Sequence, residues 1–186
     1  MTIVRVLAIC GSLRRSSSNR ALITAATRLA PKSVEVSLYD RLQDVPAFNP
    51  DLDTDVPPLA VAEFRSALQR CDAVLISTPE YAHGVPGVLK DALDWVVSSG
   101  EFIDKPVAVV NASARATHAW NSLLETLTVM SARVISEASI TVSLDGLASD
   151  ADRIAADTNL ASLLATTVKH LVGAAVEGEA KSCRNT

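Results

Sequence analysis

The chain has 186 residues, enough for one domain with a sizeable core, and 48% of them are hydrophobic against 4% aromatic. A formal net charge of −4 gives no general electrostatic basis for binding nucleic acid or an anionic membrane surface. No apolar stretch approaches the roughly 20 residues that span a bilayer, and the N-terminus opens directly into a strand with no signal peptide, so a soluble cytoplasmic protein is expected.

Ile3–Cys10 is an apolar run that reads as a buried strand. The polar segment Gly11-Ser12-Leu13-Arg14-Arg15-Ser16-Ser17-Ser18-Asn19 follows it. A helical pattern then runs from about Asn19 to Ala30, with Leu22, Ala25, Ala26 and Leu29 on one face. Val34–Tyr39 alternates apolar and polar residues, as an edge strand does. Residues 40–58 hold four prolines (Pro46, Pro50, Pro57 and Pro58) and read as an irregular loop, of a length usually given to function or to a partner. Leu59–Arg70 is a helix with Val61, Phe64, Ala67 and Leu68 inward. Ala73–Ser77 lacks alternation, as a central parallel strand covered on both faces does.

Thr78–Pro86 is a second loop, and Pro86 suits the first turn of the next helix, whose apolar stripe is Val85, Val88, Leu89, Ala92, Leu93 and Val96. Val107–Val110 is another buried strand and runs into a third loop, Asn111–Thr117. The helix Thr117–Ser131 carries Trp120, Leu123, Leu124, Leu127 and Met130 inward. Val134–Val142 is the last strand, interrupted by Ser136 and Glu137, and a final helix runs from about Asp150 to Val172. Residues 1–175 make a single domain, and 176–186 read as a disordered tail. Cys10, Cys71 and Cys183 are an odd set without C-x-x-C pairing, which suits a reducing compartment. The first two read as inert core thiols and Cys183 as exposed.

Strict strand–helix alternation means a parallel sheet with helices on both faces and right-handed crossovers. Five strands fit the flavodoxin-like, doubly wound order 2-1-3-4-5, whose ligand crevice lies at the carboxyl ends near the first and third strands. The three loops follow strands one, three and four, so they gather at one sheet edge.

The first loop is suited to an anion. Unsatisfied N–H groups and the positive end of the helix dipole meet there. The hydroxyls of Ser12, Ser16, Ser17 and Ser18, the Asn19 amide and the Arg14 and Arg15 guanidiniums surround them. The ordinary alternative is that Ser and Asn are N-caps and the arginines are solvated. The segment is neither a P-loop nor Gly-x-Gly-x-x-Gly, so a monophosphate fits better than a diphosphate. In the second loop Pro79, Gly84, Pro86 and Gly87 restrict the backbone, and Tyr81 and His83 can pack beside a ring or lie on the surface. Glu80 is a tether within the loop or solvated. Ser113 reaches the same crevice or merely shapes the approach to a helix. A phosphate cradle beside a rigid loop suggests a mononucleotide, and in this topology FMN.

The pair Gly11-Ser12-Leu13-Arg14-Arg15-x-Ser17-x-Asn19 and Pro79-Glu80-Tyr81…Pro86-Gly87…Asp94-Trp95 resembles the NAD(P)H-dependent FMN reductase family, which includes flavin, quinone, azo-compound and chromate reductases. The similarity spans roughly residues 3–145. It implies that Ser12, Arg14, Ser17 and Asn19, with Leu13 and Ser18 between them, hold the FMN phosphate. By the same match Pro79, Glu80, Tyr81, Ala82 and His83 border the isoalloxazine ring, and Ser113 closes the third side. The implied reaction passes hydride from NADPH or NADH to FMN and then electrons to a small-molecule acceptor: a quinone, free flavin, azo compound or metal oxyanion. The cofactor carries that chemistry, so no side chain is put forward as catalytic and no metal site is expected. The resemblance also implies a homodimer or a dimer of dimers, with the helix holding Asp91–Trp95 near the contact.

Two departures stand out. Ala82 occupies a position where the family usually has Asn, which removes a side-chain amide. The third loop, usually glycine-rich, has none in Ala114–His118; Arg115 and His118 there meet a phosphate of NADPH or are solvated. A non-enzymatic FMN electron carrier and a mononucleotide-binding regulatory module are the competing readings.

Overall fold

The computed structural model of the chain describes residues 3–144, 147 and 149–182. Its elements are β1 Val4–Cys10, α1 Ser18–Leu29, β2 Val34–Tyr39, α2 Leu59–Arg70, β3 Ala73–Ser77, α3 Gly87–Asp94, β4 Pro106–Asn111, α4 Thr117–Val129, β5 Arg133–Val134, β6 Ile140–Thr141, α5 Ala151–Ala156 and α6 Thr158–Ser182. The sheet is parallel throughout, ordered β2-β1-β3-β4-β5, with β6 also pairing β4. This is the flavodoxin-like order.

Side-chain alternation along the three central strands sorts the core into two layers. Val6, Ala8, Cys10, Ala73, Leu75, Ala108 and Val110 face α1, α5 and α6. Leu7, Ile9, Val74, Ile76, Val107 and Val109 face α2, α3 and α4. On the first layer α1 packs with Leu22, Ile23, Ala25 and Ala26 buried against the sheet. The C-terminal end of α2 is closed by a side chain outside it. Lys105 Nζ donates to the carbonyls of Leu68 and Cys71, at 2.8 and 2.7 Å, satisfying groups the last turn leaves open. Burial pushes the Cys71 thiol up, as it does Cys10, so both are core thiols rather than nucleophiles.

Several boundaries differ from expectation. The last strand is not one element: a 3-10 turn at Ser136–Ala138 divides it into β5 and β6, each two residues long. Between them the Ser139 hydroxyl accepts the Val109 N–H at 3.1 Å, taking the place of a strand carbonyl. The final helix is two. Asp157 breaks it, its carboxylate accepting the N–H groups of Asn159 and Leu160 at 3.0 Å and so capping α6. Past Val172 the helix continues to Ser182, so residues 176–182 of the expected tail are helical; Cys183 lies outside the described residues. The expectation about apolar length also needs correction, because Thr158–Gly178 is long and apolar enough, at a mean hydropathy of 1.2, to cross a membrane by length and composition. Here its stripe of Leu160, Leu164, Val168, Leu171 and Ala175 packs into the core beneath the sheet.

Residues 40–58 are irregular but held. They contain 3-10 turns at Leu42–Asp44 and Pro50–Leu52. Trp95 is fully buried; its indole N–H donates to the Pro46 carbonyl at 2.8 Å, and Phe48 meets its ring edge-on with centroids 5.1 Å apart. Asp91 accepts the Phe48 N–H at 3.2 Å. Asp53 accepts from the Ser98 hydroxyl at 2.6 Å and pairs with Arg65 at 2.7 Å. Ser98 first and Arg65 second hold the Asp53 carboxyl below its ordinary value. A carboxyl depressed in the folded state stabilises above its unfolded value of about 3.9, and that contribution is lost as pH falls from there through the folded value. In Asp53→Asn the drop in Tm below about pH 5 is therefore expected to be shallower than in the parent chain, from a lower starting Tm at neutral pH. Parallel Tm-against-pH curves would remove this role from Asp53.

Candidate functional site

The carboxyl ends of β1, β3 and β4 release three loops onto one edge of the sheet, where this topology places ligands. A cavity of about 310 Å³ opens there. Ser18 and Asn19 line it from the start of α1, Thr78, Pro79 and Glu80 from the second loop, and Asn111, Ala112, Ser113, Arg115 and Ala116 from the third.

Glycine is required at the first turn of this site. A Cβ on Gly11 would lie 2.9 Å from the Thr78 Cβ and nearer still to its hydroxyl, while the Gly11 N–H donates to the Ser77 carbonyl at 2.9 Å. Ser17 is the N-cap of α1: its hydroxyl accepts the Arg20 N–H at 3.4 Å and its carbonyl accepts that of Ala21. The N–H groups of Ser18 and Asn19 have no acceptor among the described residues, and no acidic residue stands in the first turn. The helix thus meets the cavity with open donors and the positive end of its dipole. Asn19 is buried, and its Oδ1 accepts the Ser77 hydroxyl at 2.9 Å, which leaves its NH2 group as a donor. Ser12 is buried, whereas Leu13, Arg14 and Arg15 are exposed above the loop.

The second loop is a tight hairpin. The Tyr81 N–H donates to the Gly84 carbonyl at 3.1 Å and the Gly84 N–H to the Tyr81 carbonyl at 2.9 Å. Between them Ala82 and His83 have φ of 49° and 61°, a type I′ turn built without the Asn or Gly that this turn prefers. Left-handed backbone costs a residue with a Cβ about 1–2 kcal/mol. Two contacts fasten this loop to α4. The Glu80 carboxylate accepts the Ala119 N–H at 2.9 Å and caps α4, whose N-cap residue Ala116 has no side chain to do so. Glu80 is therefore a tether from the second loop to the start of α4 rather than within the loop. The His83 and His118 rings stack with centroids 4.3 Å apart and planes 13° from parallel.

The third loop bends without glycine because Asn111 organises it. Asn111 Oδ1 accepts the Ser113 N–H at 3.1 Å, its Nδ2 donates to the Ala116 carbonyl at 3.3 Å, and the Ser113 hydroxyl accepts the Arg115 N–H at 3.3 Å.

Of the residues singled out in the sequence, the cavity gathers Ser18, Asn19, Pro79, Glu80, Ser113 and Arg115. Ser12, Leu13, Arg14, Ser17, Tyr81, Ala82 and His83 stand outside its lining, with Tyr81 to His83 exposed at the hairpin tip. Thr78, Asn111, Ala112 and Ala116 line it and were not anticipated. Asn111, at the end of a buried strand and two residues before Ser113, carries an Asx-turn signal in the sequence.

Comparison with known proteins agrees with this geometry. The family model described as NADPH-dependent FMN reductase matches residues 4–146. The chain is 40% identical over 113 residues to an NAD(P)H-dependent FMN reductase of Pseudomonas aeruginosa, covering 60% of each chain. It is 39% identical over 111 residues to a quinone reductase of Pseudomonas putida, covering 58% of this chain and 59% of that one. The matches thus span about three-fifths of the length of these curated relatives. Among solved structures, FerB, a flavoenzyme NAD(P)H:(acceptor) oxidoreductase from Paracoccus denitrificans, superposes with a TM-score of 0.75 at 27% identity, over 92% of this chain and 98% of that one. With the match extending over residues 4–146 of a chain whose sheet has the flavodoxin-like order, the chain belongs to the NADPH-dependent FMN reductase family.

Proposed function

We propose that the crevice holds FMN and that the protein is an NAD(P)H-dependent reductase of a small-molecule acceptor, with quinones the first class to test. The observation that carries this reading is the open start of α1, with unengaged Ser18 and Asn19 N–H groups and no acidic residue in its first turn, facing a cavity shared with the second and third loops. That donor set suits a phosphate. Ser12, Ser17, Ser18 and Asn19 are assigned to the phosphate with Arg14 above it, and Pro79 to His83 and Ser113 to the ring. FMN, when bound, supplies the two-electron chemistry that links a nicotinamide donor to the acceptor. The chain's own part is positioning. With Tyr81 and Gly84 bonded to each other, the Ala82 and His83 N–H groups are the donors left to the carbonyl edge of a ring, where negative charge develops on reduction. A cytoplasmic homo-oligomer goes with this reading, and Leu52, Val56, Leu59 and Val97 are large apolar side chains left exposed for self-association.

The test is the visible spectrum of the protein purified with FMN, recorded anaerobically before and after NADPH. A retained flavin band that bleaches rapidly and returns on adding a benzoquinone is the expected result. A band that NADPH leaves untouched would make the protein an electron carrier. No band, and no turnover with excess free FMN, would show that the cradle holds something else.

A further inference from the structure

We propose that His118 is a positioning residue: its ring, stacked on His83, holds the Tyr81–Gly84 turn in its left-handed form and so keeps the Ala82 and His83 N–H groups aimed at the flavin. The inference rests on the flavin-binding reading above, and it concerns residues at which this chain builds the turn in its own way.

Ala82 and His83 both occupy left-handed backbone, where neither has the freedom of glycine nor the local hydrogen bond with which Asn offsets the strain. The two hydrogen bonds between Tyr81 and Gly84 hold the turn from within, and contacts from outside it add to them. Before the turn, Glu80 is fixed by its bond to the Ala119 N–H at 2.9 Å. At its tip, the His83 ring lies on His118, 4.3 Å between centroids and 13° from coplanar. His118 occupies the second helical position of α4, one residue before Ala119, so the same helix start receives both contacts. It is a firm base, set by the Asn111-centred third loop and by burial of Ala119 and Leu123.

Both histidines are exposed, so their contact buries little and contributes little to the core. What the stack changes is the conformation of His83. If His83 returns to negative φ, the peptide groups on either side of it rotate, and the direction of the free N–H groups changes with them. The Ala82 and His83 N–H groups have no acceptor among the described residues, so nothing else in the chain competes for them.

A cycle of variants tests this. The measurements are the FMN dissociation constant by quenching of flavin fluorescence, hydrogen exchange of the Gly84 amide in FMN-free protein, and Tm. His118→Ala is expected to weaken FMN binding about five-fold, the equilibrium equivalent of one aromatic pair, and to speed Gly84 exchange by a similar factor, with Tm unmoved. His118→Phe should restore both, because a flat ring is what the contact needs. Replacing Ala82→Asn and His83→Gly together supplies the pair the turn prefers. In that background His118→Ala should have no effect on FMN or on Gly84 exchange. An equal loss of FMN affinity in both backgrounds would overturn the proposal, since His118 would then touch the ligand directly. Unchanged Gly84 exchange in His118→Ala would overturn it as well. Should the parent chain fail to bind FMN at all, the flavin reading falls, and Gly84 exchange still decides whether His118 holds the turn.

Discussion

Replacing Trp95 with alanine is expected to lower the unfolding free energy by about 3–5 kcal/mol and Tm by roughly 10 °C. The effect is large because Trp95 acts on two parts of the molecule. Its fully buried ring fills the layer between the sheet and α2–α4, together with Phe64, Phe102 and Leu93. Its indole N–H also holds the Pro46 carbonyl, and its edge supports Phe48, so the segment before α2 rests on it. Trp95→Phe separates the two parts. It keeps most of the volume and strands the Pro46 carbonyl, for a loss of about 1–3 kcal/mol. Urea unfolding of both variants checks the pair, and a Trp95→Ala loss under about 1 kcal/mol would mean that the segment is held by other contacts.

Gly11→Ala is expected to cost about 1–3 kcal/mol of stability through overpacking and to weaken FMN binding about 10–100-fold. The new methyl would meet both the hydroxyl and the Cβ of Thr78, 2.9 Å away for the latter. Relief has to come from moving β1's end away from β3's, which opens the turn that leads to Ser17 and the start of α1. Adding Thr78→Gly removes the two Thr78 atoms, leaves the Leu89 Cδ2 contact at 3.1 Å, and should restore part of the stability. Calorimetry and equilibrium dialysis against FMN read the two effects, and an unperturbed Gly11→Ala variant would place the approach of β1 to Thr78 outside the binding machinery.

The parts of the fold legible in the sequence are those set by short-range pattern. Leu59–Arg70 and Ala73–Ser77 have the bounds that periodicity and an unalternating apolar run predict, and the strand order follows from alternation of elements. Features set by a single side chain acting at a distance were not legible. Asp157 ends one helix and caps the next inside what reads as a continuous amphipathic stretch. Ser139 substitutes for a strand carbonyl 30 residues from its partner. In the site, the polar loop at the start of α1 is recognisable from its composition. The bond from Ala119 to Glu80 joins residues 39 apart and has no sequence signature. The Ala82–His83 turn runs against local preference, because Ala-His does not announce a type I′ hairpin. Conflict between local preference and observed backbone is itself informative, since such strain gathers at ligand sites.

The division of the last strand bears on how copies of this chain can meet. A sheet that ended in one long extended strand would expose an unbroken row of N–H and C=O groups, an invitation to add strands from another molecule. Here the outer margin consists of two dipeptide ladders, β5 and β6, separated by a helical turn, and the Val109 N–H between them is already taken by Ser139. The sheet therefore stops at this side by construction. On this side assembly has to proceed through side-chain surfaces, and edge-to-edge pairing is blocked there at the price of a few ladder bonds, whereas β2 is the terminal strand of the other side.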